Sequence, residues 1–236
     1  ARLTETKTSE IATYVSNRQI EALPQNSRNF LAFADTVPGM VFTTEPNGNT
    51  RLRSGAQTAS GINVYIDGVG QKNYTLPGGV TGQDSSRGNP FPQSAIGEYK
   101  VITQNYKAEF DQLSSAAMVA VTRSGSNEFE GSFFIDHTYT DWRSRSVFEE
   151  RGDFKAESKE TQYGATFGGP IVRDVAHFFL VYEAKEYQSP RTLEFGRGFL
   201  PGELPPDFIQ AYGNGTVTSP FKEDLYFGKV DWLVGE

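Results

Sequence analysis

The most constraining feature of the sequence is a two-residue alternation of apolar and polar side chains in its second half. A period of two places successive side chains on opposite faces of an extended strand. The alternation therefore predicts four amphipathic β-strands, near the ~9–11 residues that cross a bilayer at a tilt. The predicted strands are residues 128–140, 161–167, 176–185 and 226–234. A soluble antiparallel sandwich has the same period, so the alternation alone leaves both folds open.

The connections between these strands alternate in length. Residues 140–160 form a long and highly charged connection, and residues 169–174 form a tight turn. Residues 188–222 form a second long connection, with a short helix predicted at 206–212. Long external loops and short periplasmic turns are typical of outer-membrane β-barrels. In such a barrel the first strand runs outward, so the residues before it begin on the periplasmic side.

The first half of the chain has the pattern of a mixed α/β fold. Ser16 and Gln19 have the spacing of a capping box, which predicts a short helix that ends before Pro24. A second helix is predicted over residues 29–35. Short strands are predicted at residues 62–66, which end in an Asp-Gly turn, and at residues 98–103 and 117–122.

Charge is distributed unevenly along the chain. The formal charge is −7, made up of +1 in residues 1–125 and −8 in residues 126–236. The change coincides with a Ser/Gly/Asn cluster at residues 122–127, which predicts a turn or linker, and we place a domain boundary after residue 125. The negative charge argues against a nucleic-acid binder held by phosphate contacts. The sequence has no cysteine, which excludes disulfides and thiolate metal sites within it.

Motifs that carry enzyme chemistry are missing from the sequence. It contains no His-Glu-x-x-His, Walker A or Gly-x-Ser-x-Gly motif. The two histidines, His137 and His177, both fall within predicted strands, where an ordinary strand position is the favoured interpretation. We therefore predict no catalytic residues, no metal ligands and no cofactor.

A long polar segment, residues 71–92, is rich in Gly, Pro, Ser and Asn. Connections of this length without secondary structure are uncommon in compact domains and are often functional. Its candidate ligand-contacting side chains are Tyr74, Gln83, Asp84 and Arg87. The alternative is a structural loop that packs against its surroundings.

Several sequence blocks stand in a fixed order along the chain. They are residues 23–30, Val37-Pro38-Gly39, and residues 63–69, 96–101, 106–110, 119–132, 167–174 and 226–231. Residues 63–69 read Asn-Val-Tyr-Ile-Asp-Gly-Val, and residues 167–174 read Phe-Gly-Gly-Pro-Ile-Val-Arg-Asp. As a set, the blocks resemble the Oar-like TonB-dependent outer-membrane receptors over nearly the whole chain. The first of these two blocks resembles a strand of that family's plug, and the second resembles its first periplasmic turn.

The resemblance implies an α+β plug domain over residues 1–125, followed by antiparallel transmembrane β-barrel strands over residues 126–236, with only the first four or so strands of the barrel present. It implies energised uptake of a scarce ligand (a siderophore, peptide or glycan) across the outer membrane of a Gram-negative bacterium. The plug gates the barrel lumen and is entered from the periplasmic side. The implied partners are the TonB energy-coupling protein, through a segment upstream of residue 1, the remaining barrel strands and outer-membrane lipid.

The resemblance also assigns faces and sites to individual residues. The residues expected to face the plug are Glu130, Asp136, Gln162 and Lys229, and those expected to face lipid are Phe133, Ile135, Phe167 and Leu180. Residues 71–92 become the outward-facing apex of the plug, here named the apex loop. Arg53 is expected to lock the plug to the barrel, although Ser54 stands where siderophore receptors of the family have glycine. The alternative is a soluble β-rich binding or adhesion module with no transport role.

Overall fold

The computed structural model is mostly β-structure. It describes residues 9–23, 28–44, 49–55, 57–73, 75, 87–145, 147, 150, 155, 157–193 and 215–233. The strands are β1 (Ile11–Ser16), β2 (Met40–Thr44), β3 (Thr50–Ser54), β4 (Ile62–Ile66), β5 (Val69–Gly70), β6 (Ile96–Gln104), β7 (Ala116–Thr122), β8 (Glu130–Thr138), β9 (Lys159–Val172), β10 (Ala176–Leu193) and β11 (Gly215–Trp232). The helices are α1 (Asn17–Ala22) and four 3₁₀ helices, Phe30–Thr36, Ala59–Gly61, Gln93–Ala95 and Thr140–Trp142.

The described strands form three sheets. The first has the order β1-β6-β7-β4-β5, in which β4 and β7 are parallel and the other pairs are antiparallel. The second is the β2–β3 hairpin, and the third has the order β11-β10-β9-β8. In the third sheet each strand lies beside its neighbour in the sequence, which is the meander expected from the predicted hairpins.

Local sequence signals explain how the two N-terminal helical segments begin. Ser16 and Gln19 form the predicted capping box at the start of α1, which confirms the helix that their spacing predicts. The helix predicted over residues 29–35 is a 3₁₀ helix, Phe30–Thr36. Its N-cap is Asn29, whose side-chain oxygen accepts a hydrogen bond from Leu31 N at 3.0 Å.

We call the elements from β1 to β7 the N-terminal fold. Its hydrophobic core joins the 3₁₀ helix Phe30–Thr36 to the five-stranded sheet. Its fully buried members come from segments distant in sequence: Phe30, Leu31, Leu52, Ile62, Ile96, Tyr99 and Met118. Val15 of β1 and Ile20 of α1 belong to the same cluster. The ring of Tyr99 lies against the ring of Phe33. Burial raises the pKa of the Tyr99 phenol. Strands β1, β2, β3 and β5 were not predicted, whereas the predicted strands at 62–66, 98–103 and 117–122 are confirmed as β4, β6 and β7.

The four alternating segments are confirmed as strands β8 to β11, and three of them are longer than predicted. In β10 the side chains of Phe179, Val181 and Glu183 are buried, whereas Leu180 is 50% exposed. Phe133, Ile135 and Phe167, which are expected to face lipid, are likewise exposed. The predicted helix at residues 206–212 lies outside the described residues.

Contacts divide the chain into two compact units. One consists of Ala1–Ser132, Ala165–Glu183 and Leu225–Glu236, and the other of Phe133–Gly164 and Ala184–Asp224. The first unit therefore combines the N-terminal fold with portions of β8, β9, β10 and β11. Within the described ranges, no helix has both the length and the apolar character that crossing a membrane requires.

Candidate functional site

A buried carboxylate of β10 is bonded to the N-terminal fold. Glu183 is only 5% exposed, and its Oε1 accepts a hydrogen bond from Ser94 N at 2.7 Å. Its Oε2 accepts a second bond from Gln93 N at 3.2 Å. Gln93 and Ser94 open the 3₁₀ helix that follows the apex loop. Because burying a charge is costly unless it is paired and hydrogen-bonded, these amides are what allow a carboxylate at this position.

Arg28 completes the charge balance around Glu183. One of its terminal guanidinium nitrogens lies 3.5 Å from Glu183 Oε1 and donates to Ser94 Oγ at 2.9 Å. The backbone oxygen of Arg28 accepts a bond from Asn89 Nδ2, also at 2.9 Å. We name the set Arg28, Asn89, Gln93, Ser94 and Glu183 the Glu183 anchor. It joins three segments of the chain through hydrogen bonds between mostly buried groups.

An apolar cluster includes two residues on the same face of β10 as Glu183. Ala95, Phe179 and Val181 form a buried cluster, and Phe91 and Phe227 pack against it. The rings of Phe91 and Phe227 meet edge to face, with centroids 5.2 Å apart. An aromatic pair in this geometry adds about 0.5–1.5 kcal/mol beyond the burial of its area. The end of the apex loop and the 3₁₀ helix that follows it are therefore held to β10 and β11 by polar and apolar contacts together.

A second polar contact, made by Lys229 of β11, lies at the Asp-Gly turn after β4. Asp67 adopts a left-handed backbone with φ of 48°, and its carboxylate accepts bonds from Thr122 N, at 2.9 Å, and from Thr122 Oγ1. Lys229 Nζ donates to Thr122 Oγ1 at 3.2 Å and lies 3.9 Å from Asp67 Oδ2. We name Asp67, Thr122 and Lys229 the Lys229 anchor.

The ionisation of Asp67 reflects these contacts. Burial by itself would raise the pKa of the Asp67 carboxyl. The two hydrogen bonds from Thr122 and the positive charge of Lys229 outweigh burial, so the pKa of Asp67 lies below its ordinary value. The Lys229 anchor therefore contains an ionised carboxylate at neutral pH.

The segment between β7 and β8 passes close to the turn between β9 and β10. A Cβ placed on Gly125 would lie 2.2 Å from Phe178 O and 3.0 Å from Gly169 O, so this crossing requires glycine. Asn127 then bonds to the turn itself, because its side-chain oxygen accepts from Asp174 N at 2.8 Å and pairs with His177 Nε2 at 2.9 Å. Gly125 and Asn127, which the sequence marks as part of a turn or linker, therefore make specific contacts.

Most of the predicted ligand-contacting residues lie outside the described part of the chain. Tyr74, Gln83 and Asp84 belong to this undescribed set, whereas Arg87 is described and half-buried. At the outgoing limb, Lys72 Nζ donates to Ile62 O at 2.8 Å, and burial lowers the pKa of Lys72. Both limbs of the apex loop are therefore attached to the fold.

The predicted lock residue lies on the two-stranded hairpin. Arg53 is exposed on β3, opposite Val41 of β2. Sequence reasoning missed Glu183, the central residue of the Glu183 anchor. A signal was present, since the alternation of β10 places this carboxylate on the same face as Phe179 and Val181, where a charge needs a partner. Lys229, by contrast, was assigned to the plug-facing side and contacts Asp67 and Thr122 of the N-terminal fold.

The polar groups described above hold segments of the chain together, and the two histidines do the same. His137 Nδ1 pairs with Thr161 Oγ1 at 2.8 Å, and the ring nitrogen of His177 pairs with Asn127. Among the described residues, no group of three or more acidic or histidine side chains has the geometry to hold a metal ion. Buried ion pairs and hydrogen bonds to backbone amides can hold one segment against another and release it when they break.

Comparisons with known proteins identify the family of the chain. Residues 121–197 match the family described as the outer membrane beta barrel domain. Over 174 residues, 71% of this chain, the sequence is 33% identical to the TonB-dependent transporter Oar of Myxococcus xanthus. The chain spans 15% of the length of that relative.

Solved structures with the same fold are outer-membrane receptors and transporters. The outer membrane transporter YddB of Escherichia coli superimposes with a TM-score of 0.70 over 95% of this chain and 31% of its own, at 14% identity. The ferric enterobactin receptor PfeA of Pseudomonas aeruginosa gives a TM-score of 0.57 over 95% of this chain and 30% of its own, at 12% identity. These matches place the protein in the outer membrane of a Gram-negative bacterium and confirm the resemblance found in the sequence: the chain is a homologue of Oar and belongs with the TonB-dependent outer-membrane receptors.

Proposed function

We propose that the chain is the plug and the first barrel strands of a transporter that imports a scarce ligand with energy supplied through TonB. In this proposal residues 1–125 form an α+β plug and residues 126–236 begin the barrel wall. The plug occupies the lumen that a large barrel would otherwise leave open to water. Strands β8 to β11 supply four strands, and the remaining strands of the barrel complete the wall.

The observation that carries this proposal is the burial of Glu183. A strand of an outer-membrane barrel alternates between lipid and lumen, so a charge on the lumen side needs water or a protein partner. Glu183 has protein partners, namely the amides of Gln93 and Ser94 and the guanidinium of Arg28. Leu180, whose side chain is on the opposite face of β10, is exposed as a lipid-facing residue would be. One face of the strand therefore suits a plug and the other suits lipid.

The transport step involves no chemical change in the ligand, and we propose no enzymatic activity. The ligand belongs to the siderophore, peptide or glycan classes, and the named specificity of PfeA for ferric enterobactin makes a ferric siderophore the first probe to try. TonB would supply the energy for this step. Partial release of the plug from β10 and β11 would then open a path through the barrel.

Ion conductance of the full-length receptor in a planar bilayer tests this function. The intact receptor should hold the current near baseline, and deletion of residues 1–125 should give a steady open-channel current. Heat-dependent gel migration should confirm that the deleted receptor still assembles. A steady current from the intact receptor, or none from an assembled deletion variant, would contradict the proposal. A protein that stays monomeric and folded in plain buffer would favour the soluble binding module.

We propose further that the apex loop contacts the ligand through Tyr74, Gln83, Asp84 and Arg87. What supports this proposal is the attachment of the two ends of the loop, where Lys72 donates to Ile62 O and Asn89 donates to Arg28 O. Deletion of residues 80–88 should abolish binding of whichever ferric siderophore, peptide or oligosaccharide probe quenches the tryptophan fluorescence of the intact receptor. Undiminished affinity in an assembled deletion variant would dismiss this assignment.

Arg53 remains our proposal for an additional lock between plug and barrel. An exposed guanidinium on β3 is available to a carboxylate of the barrel strands that complete the wall. Arg53→Ala should allow the plug to leave the receptor at a lower denaturant concentration than in the wild type. Unchanged plug retention would remove Arg53 from the set of locking residues.

A further inference from the structure

A groove lies on strands β9, β10 and β11, on the face opposite Glu183. Its volume of about 460 Å³ falls within the ~300–1,000 Å³ range of small-molecule sites. None of the nine residues that line it carries a charge, so the groove itself suits an uncharged and apolar ligand. The alternation of the strands places six of the nine on one face: Ala165, Phe167, Leu180, Tyr182, Tyr226 and Gly228.

Two small residues leave the space that the larger ones enclose. A Cβ on Gly228 would have only the end of Leu180 within 4 Å, at 3.4 Å, so the space above this glycine is open. Ala165 is exposed on β9. The rings of Tyr182 and Tyr226 line the groove as a pair, with centroids 5.0 Å apart. The exposed face therefore has a cleft between large side chains.

A hydrocarbon chain is the ligand that such a cleft takes when its face meets lipid. Lipid tails are as apolar as the side chains, so a chain gains no hydrophobic free energy by entering the groove. It gains dispersion contacts instead, because the cleft surrounds it on several sides where a filled wall would touch it on one. Packing therefore favours one held chain over the mobile chains that cover the rest of the wall.

The position of the groove along the strands corresponds to the end of such a chain. From Phe167 to Val172, β9 continues toward its turn for about 16 Å, at ~3.3 Å per residue. A strand tilt of ~40° makes this about 13 Å of depth, close to half of a hydrocarbon core ~30 Å thick. Ile171, Val230 and Trp232 are exposed between the groove and the turn and continue the apolar surface.

An exposed arginine lies at the turn that this apolar surface reaches. Arg173 follows the last residue of β9. The carboxylate of the adjacent Asp174 accepts a hydrogen bond from Asn127 Nδ2 at 2.5 Å, and its backbone nitrogen donates to Asn127 Oδ1 at 2.8 Å. Asp174 is therefore bonded to the segment between β7 and β8. A guanidinium can bind a phosphate through two parallel hydrogen bonds, so the turn offers a site for an anionic head group.

We propose that the groove and Arg173 form a binding site for one anionic phospholipid of the periplasmic leaflet. The phosphate pairs with Arg173, and the end of one acyl chain fills the cleft above Gly228. This inference rests on the proposed function, which makes this face of the strands the lipid-facing one and its turn periplasmic. It adds a specific lipid ligand, held outside the barrel, to the partners of the receptor.

Photo-crosslinking in the full-length receptor tests the site. The receptor is reconstituted in phosphatidylcholine nanodiscs with a trace of phosphatidylglycerol that carries a diazirine at the end of one acyl chain. Mass spectrometry then maps the crosslinked residues. Crosslinks to residues 165–167, 180–182 and 226–228 should exceed those to Phe133 and Ile135, exposed positions of β8, by about fivefold, equivalent to about 1 kcal/mol.

Variants of the cleft separate binding in the groove from general contact with lipid. Gly228→Leu places a side chain in the cleft and should lower the groove crosslinks about fivefold. Ala165→Leu fills the same cleft from β9 and should have the same effect, including where Gly228→Leu does not assemble. Val230→Leu is the matched control, because Val230 is exposed on the same strand beyond the groove, and it should leave the crosslinks unchanged. Heat-dependent gel migration reports assembly of each variant.

The head-group contact has its own variants. Arg173→Gln removes the cation and should lower the groove crosslinks about fivefold, whereas Arg173→Lys keeps a cation and should retain part of them. Unlabelled phosphatidylglycerol should compete with the probe.

Three results would overturn the inference. They are equal crosslinking at the groove and at β8, groove crosslinks that persist in the assembled filling variants, and groove crosslinks that Arg173→Gln does not change. Competition by lipopolysaccharide and not by phosphatidylglycerol would also overturn it, by assigning the cleft to an outer-leaflet lipid. In each case crosslinks at Phe133 and Ile135 would leave the proposed function standing. Their absence together with that of groove crosslinks would instead contradict the lipid-facing wall, and with it the proposed function.

Discussion

The carboxylate oxygen of Glu183 in β10 lies 2.7 Å from the backbone nitrogen of Ser94, although 89 positions separate the two residues in the sequence. Because a backbone amide cannot move independently of the main chain, this bond fixes the position of the main chain at Ser94 relative to β10. Together with the bond from Gln93 N, it fixes the start of the 3₁₀ helix Gln93–Ala95 against β10. These bonds therefore determine which residue of β10 lies beside the helix.

The first prediction concerns Glu183→Gln. The amide group that replaces one carboxylate oxygen cannot accept a hydrogen bond from a backbone amide, and the charge facing Arg28 is lost. Hydrogen bonds to charged groups contribute about 1.5–3 kcal/mol, and the substitution should destabilise the local structure by an amount of that order. Amide exchange in residues 93–95 of the full-length receptor should accelerate accordingly.

Glu186→Gln provides the matched control for this substitution. Glu186 lies on the same strand, is exposed, and pairs with Lys222 Nζ at 2.7 Å. Exposed ion pairs contribute little to stability, so this variant should leave exchange in residues 93–95 unchanged. Equal exchange in the two variants and the wild type would show that Glu183 does not hold the helix in place.

The second prediction concerns the response of the Lys229 anchor to pH. The folded pKa of Asp67 lies below its unfolded value of about 3.9. A group of this kind contributes stability above its unfolded pKa, and the contribution is lost as the pH falls through the folded pKa. The anchor should therefore be intact at neutral pH and should weaken below roughly pH 4.

Asp67→Asn should lower the urea midpoint of the receptor at neutral pH. It should also remove the part of the decrease in stability at acid pH that comes from protonation of Asp67. Glu109→Gln is the control, since Glu109 is exposed and pairs only loosely with Lys107, at 3.9 Å. Urea midpoints measured between pH 3 and pH 7 compare the three proteins. A parallel pH dependence in Asp67→Asn and the wild type would assign the acid sensitivity to another group.

The third prediction concerns the crossing at Gly125. The Cβ of alanine at this position would overlap Phe178 O, and neither backbone can move without disturbing β10. Overpacking of this kind costs about 1–3 kcal/mol or more, so Gly125→Ala should reduce the folded fraction that heat-dependent gel migration reports.

Gly228→Ala is the control for this substitution. Its nearest neighbour would be the flexible end of Leu180, at 3.4 Å, and its effect should stay within about 0.5 kcal/mol. Wild-type folding of Gly125→Ala would show that the segment between β7 and β8 does not pass the turn as closely as described.

Local chemistry made much of the fold predictable from the sequence. The capping box of Ser16 and Gln19 depends on residues three positions apart, and it forms as their spacing predicts. The alternation in the second half depends on the two faces of a strand, and it identifies β8 to β11. The Asp-Gly pair at Asp67 marks the turn because a left-handed backbone suits those residue types.

Other elements could not be predicted because polar residues occupy some of their buried positions. In β3 the buried positions include Thr50 and Ser54 beside Leu52, so hydropathy shows no clear alternation there. The Glu183 anchor was hidden for a different reason, since its partners Arg28, Asn89 and Ser94 are brought together only by the tertiary fold. Sequence patterns report which residues share a face, but they do not report what that face meets.

The proposed function requires that alternate residues of β8 to β11 face hydrocarbon on one side and the barrel lumen on the other. Because the sequence contains no cysteine, single spin labels can be attached at Phe133→Cys, Leu180→Cys, Val230→Cys and Lys229→Cys without background from these residues. In the full-length receptor in lipid bilayers, the labels at 133, 180 and 230 should collide readily with oxygen and rarely with a water-soluble nickel chelate, whereas the label at 229 should be shielded from oxygen. Labels at 133, 180 and 230 that collide with the nickel chelate, or that are shielded from both reagents as in a protein core, would contradict the account.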